Sequence, residues 1–475
     1  MPLKPELNVS GYRGVWGESL NDEIVSRYTH GFVFFTKEES KKENLTILIG
    51  RDGRESGPEI RKIIIREFKK LKINFVDGDV MPTPTVLFSV RKHKYDGAII
   101  ITASHNPIEY NGLKFVNNKA LFTIKEEVEK INSFQKDVVL GSIAQSIEPK
   151  QAIFQHKIMC AERNNIFCKL FSKKVPNFSK EHVDQILANI NIKAIRDRKF
   201  KVAVDMMNAS ACVIDPYLFK KLGVELIPLN NIPNGKFAHK PEPLKENLSD
   251  IENLVKGSKA DLGFVHDPDA DRLVIVDENG EVVSEEYSVA FGIENILSKN
   301  RGKPIVINLS TSQMGADIAK KYNSECFRSK IGEGYVVEKI LSHNAIIGGE
   351  GNGGVIYPTI NTVRDSFTSL SLILELLAER KQTVTECIAT LPKYFIKKDK
   401  WPIAGKDLND IYKKLKSHFN NAKIDEQDGL RLDLPDGSWI HLRPSNTEPI
   451  IRLFGESKDE KSINDIFKEV KKNLQ

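Results

Sequence analysis

Residues 97–107 read GAIIITASHNP, and the change of character in the middle of that stretch decides the fold class. The apolar, β-branched run 97–101 has the length and composition of a strand buried on both faces. It gives way to TASHNP (102–107), where Pro107 forbids continuation of a sheet ladder and biases Asn106 away from helix. A loop therefore starts at the end of a buried strand, which is where α/β sheets place their chemistry. Ser104 stands where a nucleophile or phosphate carrier would be needed. Taken alone, a loop serine is equally a turn former or a helix cap.

Outward from this point the same alternation repeats. Short apolar strands are expected at 45–49, 97–101, 202–204, 262–265, 305–307 and 345–347, with amphipathic helices at 59–71, 183–190, 314–321 and 367–380. Repeated βα units of this kind predict mixed or parallel sheets. At 475 residues the chain is long enough for about three domains. A polar stretch at 141–180 is expected to hold the first boundary. Past residue 393 the texture changes to a helix at 408–419, a hairpin around 435–437 and a closing helix whose apolar face is Ile463, Ile466, Phe467, Val470 and Leu474. That segment is expected to be a smaller α+β domain.

Bulk properties narrow the function classes. The chain is 40% hydrophobic and 28% charged, as in soluble globular proteins. Its net charge of +6, from 70 basic and 64 acidic residues, is too dispersed for a nucleic-acid footprint. Five cysteines without CxxC spacing argue against a disulfide framework or structural zinc. No apolar run reaches the roughly 18 residues that span a bilayer. No membrane or nucleic-acid partner is expected, and a cytoplasmic location is. The oligomeric state is not legible.

Three further loops carry chemistry. In HDPDADR (266–272), Asp267, Asp269 and Asp271 alternate, so a turning loop converges three carboxylates that repel one another unless a hard cation lies between them; Mg²⁺ is the natural candidate. A solvated acidic turn is the plain alternative. An EF-hand is disfavoured because Arg272 occupies the position that needs glycine. GGEGNGG (348–354) brings Glu350 and Asn352 together among five glycines, a set suited to paired sugar hydroxyls or, more plainly, a flexible turn. RPSNTEP (443–449), with Arg452 behind it, concentrates a guanidinium, two hydroxyls and an amide, suited to a phosphate or to the start of a capped helix.

In this order the four loops resemble those of the α-D-phosphohexomutase family: TASHNP its phosphoserine loop, DPDADR its metal loop, GEGNGG its sugar loop and RPSNTEP its phosphate loop. GYRG (11–14) resembles the family's N-terminal arginine motif, and NGLK (111–114) the segment bearing its active-site lysine. The resemblance implies four domains: 1–155 with the phosphoserine loop, 156–281 with the metal loop, 282–393 with the sugar loop and 394–475 with the phosphate loop. The first three are related α/β domains with mixed sheets and the last a smaller α+β domain, with the active site in the central cleft. It implies a phosphohexomutase that interconverts hexose 6-phosphate and 1-phosphate through a hexose bisphosphate. Phosphorylated Ser104 would be the donor, with Asp267, Asp269, Asp271 and Ser104 holding Mg²⁺. Arg13, Lys114, His105 and Arg272 would surround the transfer. Lys330, Glu350, Asn352, Arg443, Ser445, Asn446, Thr447 and Arg452 would bind substrate.

Two departures stand out. Some relatives have histidine where this chain has Gly354 and Glu333, which leaves the general base open between Lys114, if burial lowers its pKa, and His105. No residue reads the sugar's C2 directly. The GNGG loop and the SGYRG start look most like phosphoglucosamine mutases and archaeal-type phosphomannomutases, which favours the amino sugar over mannose or glucose. The other function classes are a sugar phosphatase using the aspartate loop as nucleophile and a non-catalytic sugar-phosphate binder.

Overall fold

Strand Gly97–Ile101 is buried along its whole length and lies inside a six-stranded sheet. Its neighbours explain its composition. Ile99 and Ile101 face a core with Phe32, Phe35 and Phe68, while Ala98 and Ile100 face a second core with Val86, Leu87 and Val90. Both faces are covered, so the strand is continuously apolar rather than alternating. A computed structural model describes residues 6–8, 11–139, 177–403, 407–444 and 450–474. The boundary expected at 155, and most of the polar stretch 141–180, fall outside the described residues.

The chain divides into two units, Met1–Val283 with Tyr357–Lys381, and Ser284–Ile356 with Gln382–Gln475. The first holds two sheets. One runs in the order Glu6–Asn8, Gly11–Val15, Tyr110–Val116, Gly97–Ile101, Thr46–Arg51, Asn74–Val80, parallel among the last three strands and antiparallel elsewhere. The other runs Leu273–Val276, Leu262–His266, Lys201–Asp205, Glu225–Leu229, with only the first pair antiparallel. The second unit has a four-stranded sheet, Cys326–Ser329, Ile305–Asn308, Ile347–Glu350, Gly354–Ile356, closed by an antiparallel pair in the same way. Its other sheet is wholly antiparallel: Phe395–Pro402, Ile450–Ser457, Trp439–Pro444, Leu430–Asp433, Lys423–Asp425. Mixed sheets in the three α/β segments and a smaller α+β segment at the C-terminus agree with the expected fold class.

The three α/β sheets share one device that has no counterpart at residue level. In each, a parallel strand passes through a functional loop and returns antiparallel beside itself: 101 to 110, 266 to 273 and 350 to 354. Both ends of each loop are pinned by a ladder, so the loop's side chains are aimed by the sheet.

Several boundaries move. Helices Gly57–Lys70 and Phe178–Leu187 begin earlier than the periodicity predicts, and Met314–Lys321 and Ser366–Arg380 agree with it. The strand expected at 345–347 is Ile347–Glu350, so the first half of GGEGNGG is strand. RPSNTEP leads into strand Ile450–Ser457, and no helix follows it. The closing helix, Glu460–Leu474, buries Ile463, Phe467 and Val470 with Ile466 packed partly beside them, as the spacing requires. Among the described residues, no helix is long and apolar enough to cross a membrane.

Candidate active site

The serine loop begins where the ladder ends. Ser104 is nearly inaccessible and has a left-handed backbone, φ +50°, unusual for a non-glycine residue. Its Oγ lies 3.4 Å from Asp267 Oδ2 and 3.4 Å from His105 Nδ1. A chain of bonds fixes the turn: Ser104 N donates to Thr102 Oγ1 at 2.9 Å, and Thr102 Oγ1 donates to Asp52 Oδ2 at 2.6 Å.

Arg54, which the sequence reading did not single out, is the largest constraint on this loop. It is fully buried. Its Nη1 donates to Pro107 O (2.6 Å) and Tyr110 O (2.8 Å), and its Nη2 to Ser104 O (2.7 Å) and Asn106 O (2.6 Å). Asp52 completes the clamp, 3.2 Å from Arg54 Nε. A planar fork with five donors is what a curved row of carbonyls needs. The signal was present: DGRESG (52–57) follows strand Thr46–Arg51 as TASHNP follows its own strand.

Three carboxylates stand opposite Ser104. Asp267, Asp269 and Asp271 are buried, each with an oxygen within 4.8 Å of the others. The loop carrying them is a β-turn region between antiparallel strands, which removes the EF-hand alternative. Asp267 Oδ1 accepts from Asp271 N (3.0 Å) and Arg272 N (3.2 Å), curling the loop around its first carboxylate. Asp269 Oδ2 accepts from Lys114 Nζ (2.7 Å) and Thr83 Oγ1 (2.8 Å). Asp271 Oδ2 accepts from Arg364 Nη2 (2.5 Å) and lies 3.8 Å from Lys114 Nζ. The other oxygens of these two, Asp269 Oδ1 and Asp271 Oδ1, are buried without a hydrogen-bond partner among the described residues. Orphaned, converging hard oxygens are the donor set of a divalent cation, so these residues fit one.

The electrostatics agree. Burial, then the charges of Asp271 and Asp269, pushes Asp267 well above the ordinary carboxylate range. Asp269 moves the other way: burial pushes it up, but Lys114, Thr83 and Arg364 together outweigh burial. Arg272 foremost, then burial and Arg13, holds His105 well below the ordinary imidazole value, so its ring is uncharged at neutral pH. Burial draws Arg13 down from its ordinary value against the pull of Asp269, and its Nη1 donates to Asn106 Oδ1 at 2.8 Å. Lys114 Nζ is engaged by two carboxylates, whereas His105 Nδ1 faces the serine oxygen. His105 Nδ1 is thus placed to exchange a proton with Ser104 Oγ. Arg364 and Thr83 were not foreseen. Arg364 directly precedes Asp365, the N-cap of helix Ser366–Arg380, and only the fold brings it to Asp271.

The second unit carries the remaining residues. Glu350 is buried, and its Oε1 accepts from Asn308 Nδ2 (2.9 Å) and Gly332 N (3.0 Å); Asn352 is half-buried on the next turn. Lys330 is exposed, its Nζ 5.6 Å from the Tyr335 ring centre. Asp428 joins two loops: its Oδ1 accepts from Arg443 Nε and its Oδ2 from Ile331 N, each at 2.9 Å. Arg443, Arg452 and Lys400 sit directly opposite one another on three adjacent strands. Ser445, Asn446 and Thr447 lie outside the described residues.

Gly351 is glycine for a steric reason. A Cβ there would collide with both carboxylate oxygens of Glu286, a buried residue whose Oε2 accepts from Ser312 N at 2.9 Å. Burial pushes Glu286 up to about 8, opposed mainly by Lys398. The folded protein therefore keeps this proton between pH 4.5 and about 8 while the unfolded chain has lost it. Stability attributable to Glu286 is fully present below pH 4.5 and is lost as pH rises to about 8. The slope is about 1.4 kcal/mol per pH unit. Glu286→Gln is expected to remove that slope and to stabilise the protein at pH 7.5. Denaturant midpoints of parent and variant at pH 5 and 8 check this; parallel pH profiles would contradict it.

Comparison with known proteins follows the same divisions. Residues 4–138, 180–280 and 285–395 match the alpha/beta/alpha domains I, II and III of Phosphoglucomutase/phosphomannomutase, and residues 397–473 match its C-terminal domain. A Thermococcus kodakarensis protein named phosphoglucomutase/phosphomannomutase is 32% identical over 458 residues, covering 96% of this chain and 95% of its own. A Sulfurisphaera tokodaii protein named phosphoglucosamine/phosphogalactosamine mutase is 30% identical over 468 residues, covering 97% of each chain. The crystal structure of a phosphoglucomutase/phosphomannomutase family protein from Burkholderia thailandensis shares the fold, with a TM-score of 0.83 at 24% identity over 98% of this chain and 96% of its own.

Proposed function

The chain belongs to the phosphoglucomutase/phosphomannomutase family and is a phosphohexomutase, and we propose that it interconverts glucosamine 6-phosphate and glucosamine 1-phosphate through a phosphoserine at Ser104. The observation that carries the mechanism is the buried Ser104 Oγ facing three converging carboxylates, 3.4 Å from the nearest. The bond from phosphorus to Ser104 Oγ breaks as one forms to the free hydroxyl of the sugar monophosphate, and that hydroxyl's proton is carried to the departing Ser104 Oγ by His105, whose Nδ1 lies 3.4 Å from it. The bisphosphate then presents its other end, and the reverse transfer restores the phosphoserine. Asp267, Asp269 and Asp271, with the Ser104 phosphate, would hold Mg²⁺, which when bound offsets the charge of a group carrying roughly −1.5 to −2 at neutral pH. Arg13, Lys114 and Arg272 add positive charge at the transferring group. Glu350 and Asn352 grip sugar hydroxyls common to both orientations. Arg443, Ser445, Asn446, Thr447 and Arg452, with Lys330, hold the phosphate that is not moving.

The amino sugar is favoured by the GNGG loop, the SGYRG start and the Sulfurisphaera tokodaii relative. Mannose or glucose phosphate is the second reading, which the Thermococcus kodakarensis relative favours. Two measurements test the proposal. Intact mass of the purified protein is expected to show one added phosphoryl group, removed by incubation with an excess of hexose monophosphate. Coupled assays with glucosamine, mannose and glucose 1-phosphates are expected to rank glucosamine first. A faster rate on mannose or glucose would replace the amino-sugar assignment and leave the phosphoserine intact.

A further inference from the structure

The loop presenting the three aspartates turns on Ala270, whose φ of +57° lies in the left-handed region that alanine rarely adopts. That turn brings Asp271 N back to Asp267 Oδ1 and Ala270 N to Asp267 O, both at 3.0 Å, and so sets the spacing of the carboxylates. The strained residue is held from behind. Ala270 O accepts from Ser366 Oγ at 2.7 Å and from Ser366 N at 3.3 Å. Ser366 has one hydroxyl proton and gives it to Ala270. At 2.8 Å from His266 Nδ1, its oxygen must therefore be the acceptor and the ring the donor. His266 Nε2 lies 3.0 Å from Asp215 Oδ2, but neither atom has a hydrogen-bond partner among the described residues, so the series of bonds ends at His266. Asp215, His266 and Ser366 are all fully buried, so an Asp–His–Ser series that would otherwise look hydrolytic has no access to substrate.

We infer that His266 and Ser366 form a positioning relay that holds Ala270 left-handed and thereby sets the affinity of the aspartate loop for its divalent cation. The inference rests on the metal reading of that loop. Nothing in the relay touches a reacting atom. Its work is to keep two backbone units in a conformation that Asp267, Asp269 and Asp271 need in order to converge. Partners one step behind a metal's ligands commonly change its affinity about 10- to 100-fold.

Calorimetric titration of Mg²⁺ into the purified full-length protein tests this. Ser366→Ala is expected to weaken Mg²⁺ binding about 10-fold. His266→Leu should act in the same direction. Ser366→Thr, which keeps the hydroxyl, should stay within about twofold of the parent if the relay acts through that group. The decisive variant is the double substitution Ser366→Ala with Ala270→Gly. Glycine takes the left-handed turn without strain, so Mg²⁺ affinity is expected to recover although the hydroxyl is still missing. Parent-like Mg²⁺ binding by Ser366→Ala would overturn the relay, as would a double variant no tighter than Ser366→Ala. A parent that binds no Mg²⁺ would instead overturn the metal reading, and the relay with it.

Discussion

Ser104→Ala is expected to abolish phosphoryl exchange, lowering mutase turnover by at least about 10⁴-fold, the order seen when a covalent nucleophile is removed. The reason is that the variant keeps everything except the atom that carries phosphate. Among the described residues Ser104 Oγ makes two polar contacts, both 3.4 Å long, so its loss leaves no strong bond unmade. The backbone anchors are on Ser104 N and O and survive the change. Denaturation midpoints should therefore match those of the parent, while the added phosphoryl mass disappears. The same variant separates the function classes. Sugar phosphatase turnover that persists in Ser104→Ala, from a parent with no mutase activity, would assign the chemistry to the aspartate loop instead.

Arg54→Leu is expected to cost about 3–5 kcal/mol of stability, the range for breaking a buried ion pair by removing one member. Two losses add. Asp52, fully buried, is left without its counter-ion, although burial already pushes its carboxyl upward. The carbonyls of Ser104, Asn106, Pro107 and Tyr110 lose four hydrogen bonds at once. Arg54→Lys should fold better than Arg54→Leu and still release the loop, because one ammonium cannot span four carbonyls. Asp52→Asn is expected to cost less in the Arg54→Leu background than in the parent, since the two residues act as a pair. Denaturant unfolding of the parent and the four variants measures each number. A loss below about 1 kcal/mol for Arg54→Leu would mean that the loop is held by its strands and not by the guanidinium.

The parts of the site that were legible in the sequence are those where chemistry and position coincide. TASHNP and DPDADR concentrate unusual residue types at strand ends, and Ser104 and Asp267 do meet. Arg54, Thr83 and Arg364 were not legible because each acts through the fold: Arg364 reaches Asp271 across 93 residues of sequence and Thr83 reaches Asp269 across 186. The strand Ile347–Glu350 was read too early for a local reason. Gly348 and Gly349 look like loop residues by propensity, yet both sit in ladders between Ile305–Asn308 and Gly354–Ile356. A residue-by-residue repeat among the α/β domains was not legible for the opposite reason. It is preserved as a strand that turns back on itself, a property of hydrogen-bond pairing that any apolar β-branched sequence satisfies.

The left-handed backbone at Ser104 has one more consequence. Phosphate ester chemistry has no preference between serine and threonine, since either hydroxyl carries the group. Their backbones differ. At φ +50° the second branch of a threonine side chain meets the main chain, so a β-branched residue is excluded where an unbranched one is merely strained. Of the two amino acids that could serve as carrier, the turn admits one. Under the proposed phosphoserine mechanism, an exchange that would be silent in the chemistry is thus disfavoured by geometry alone.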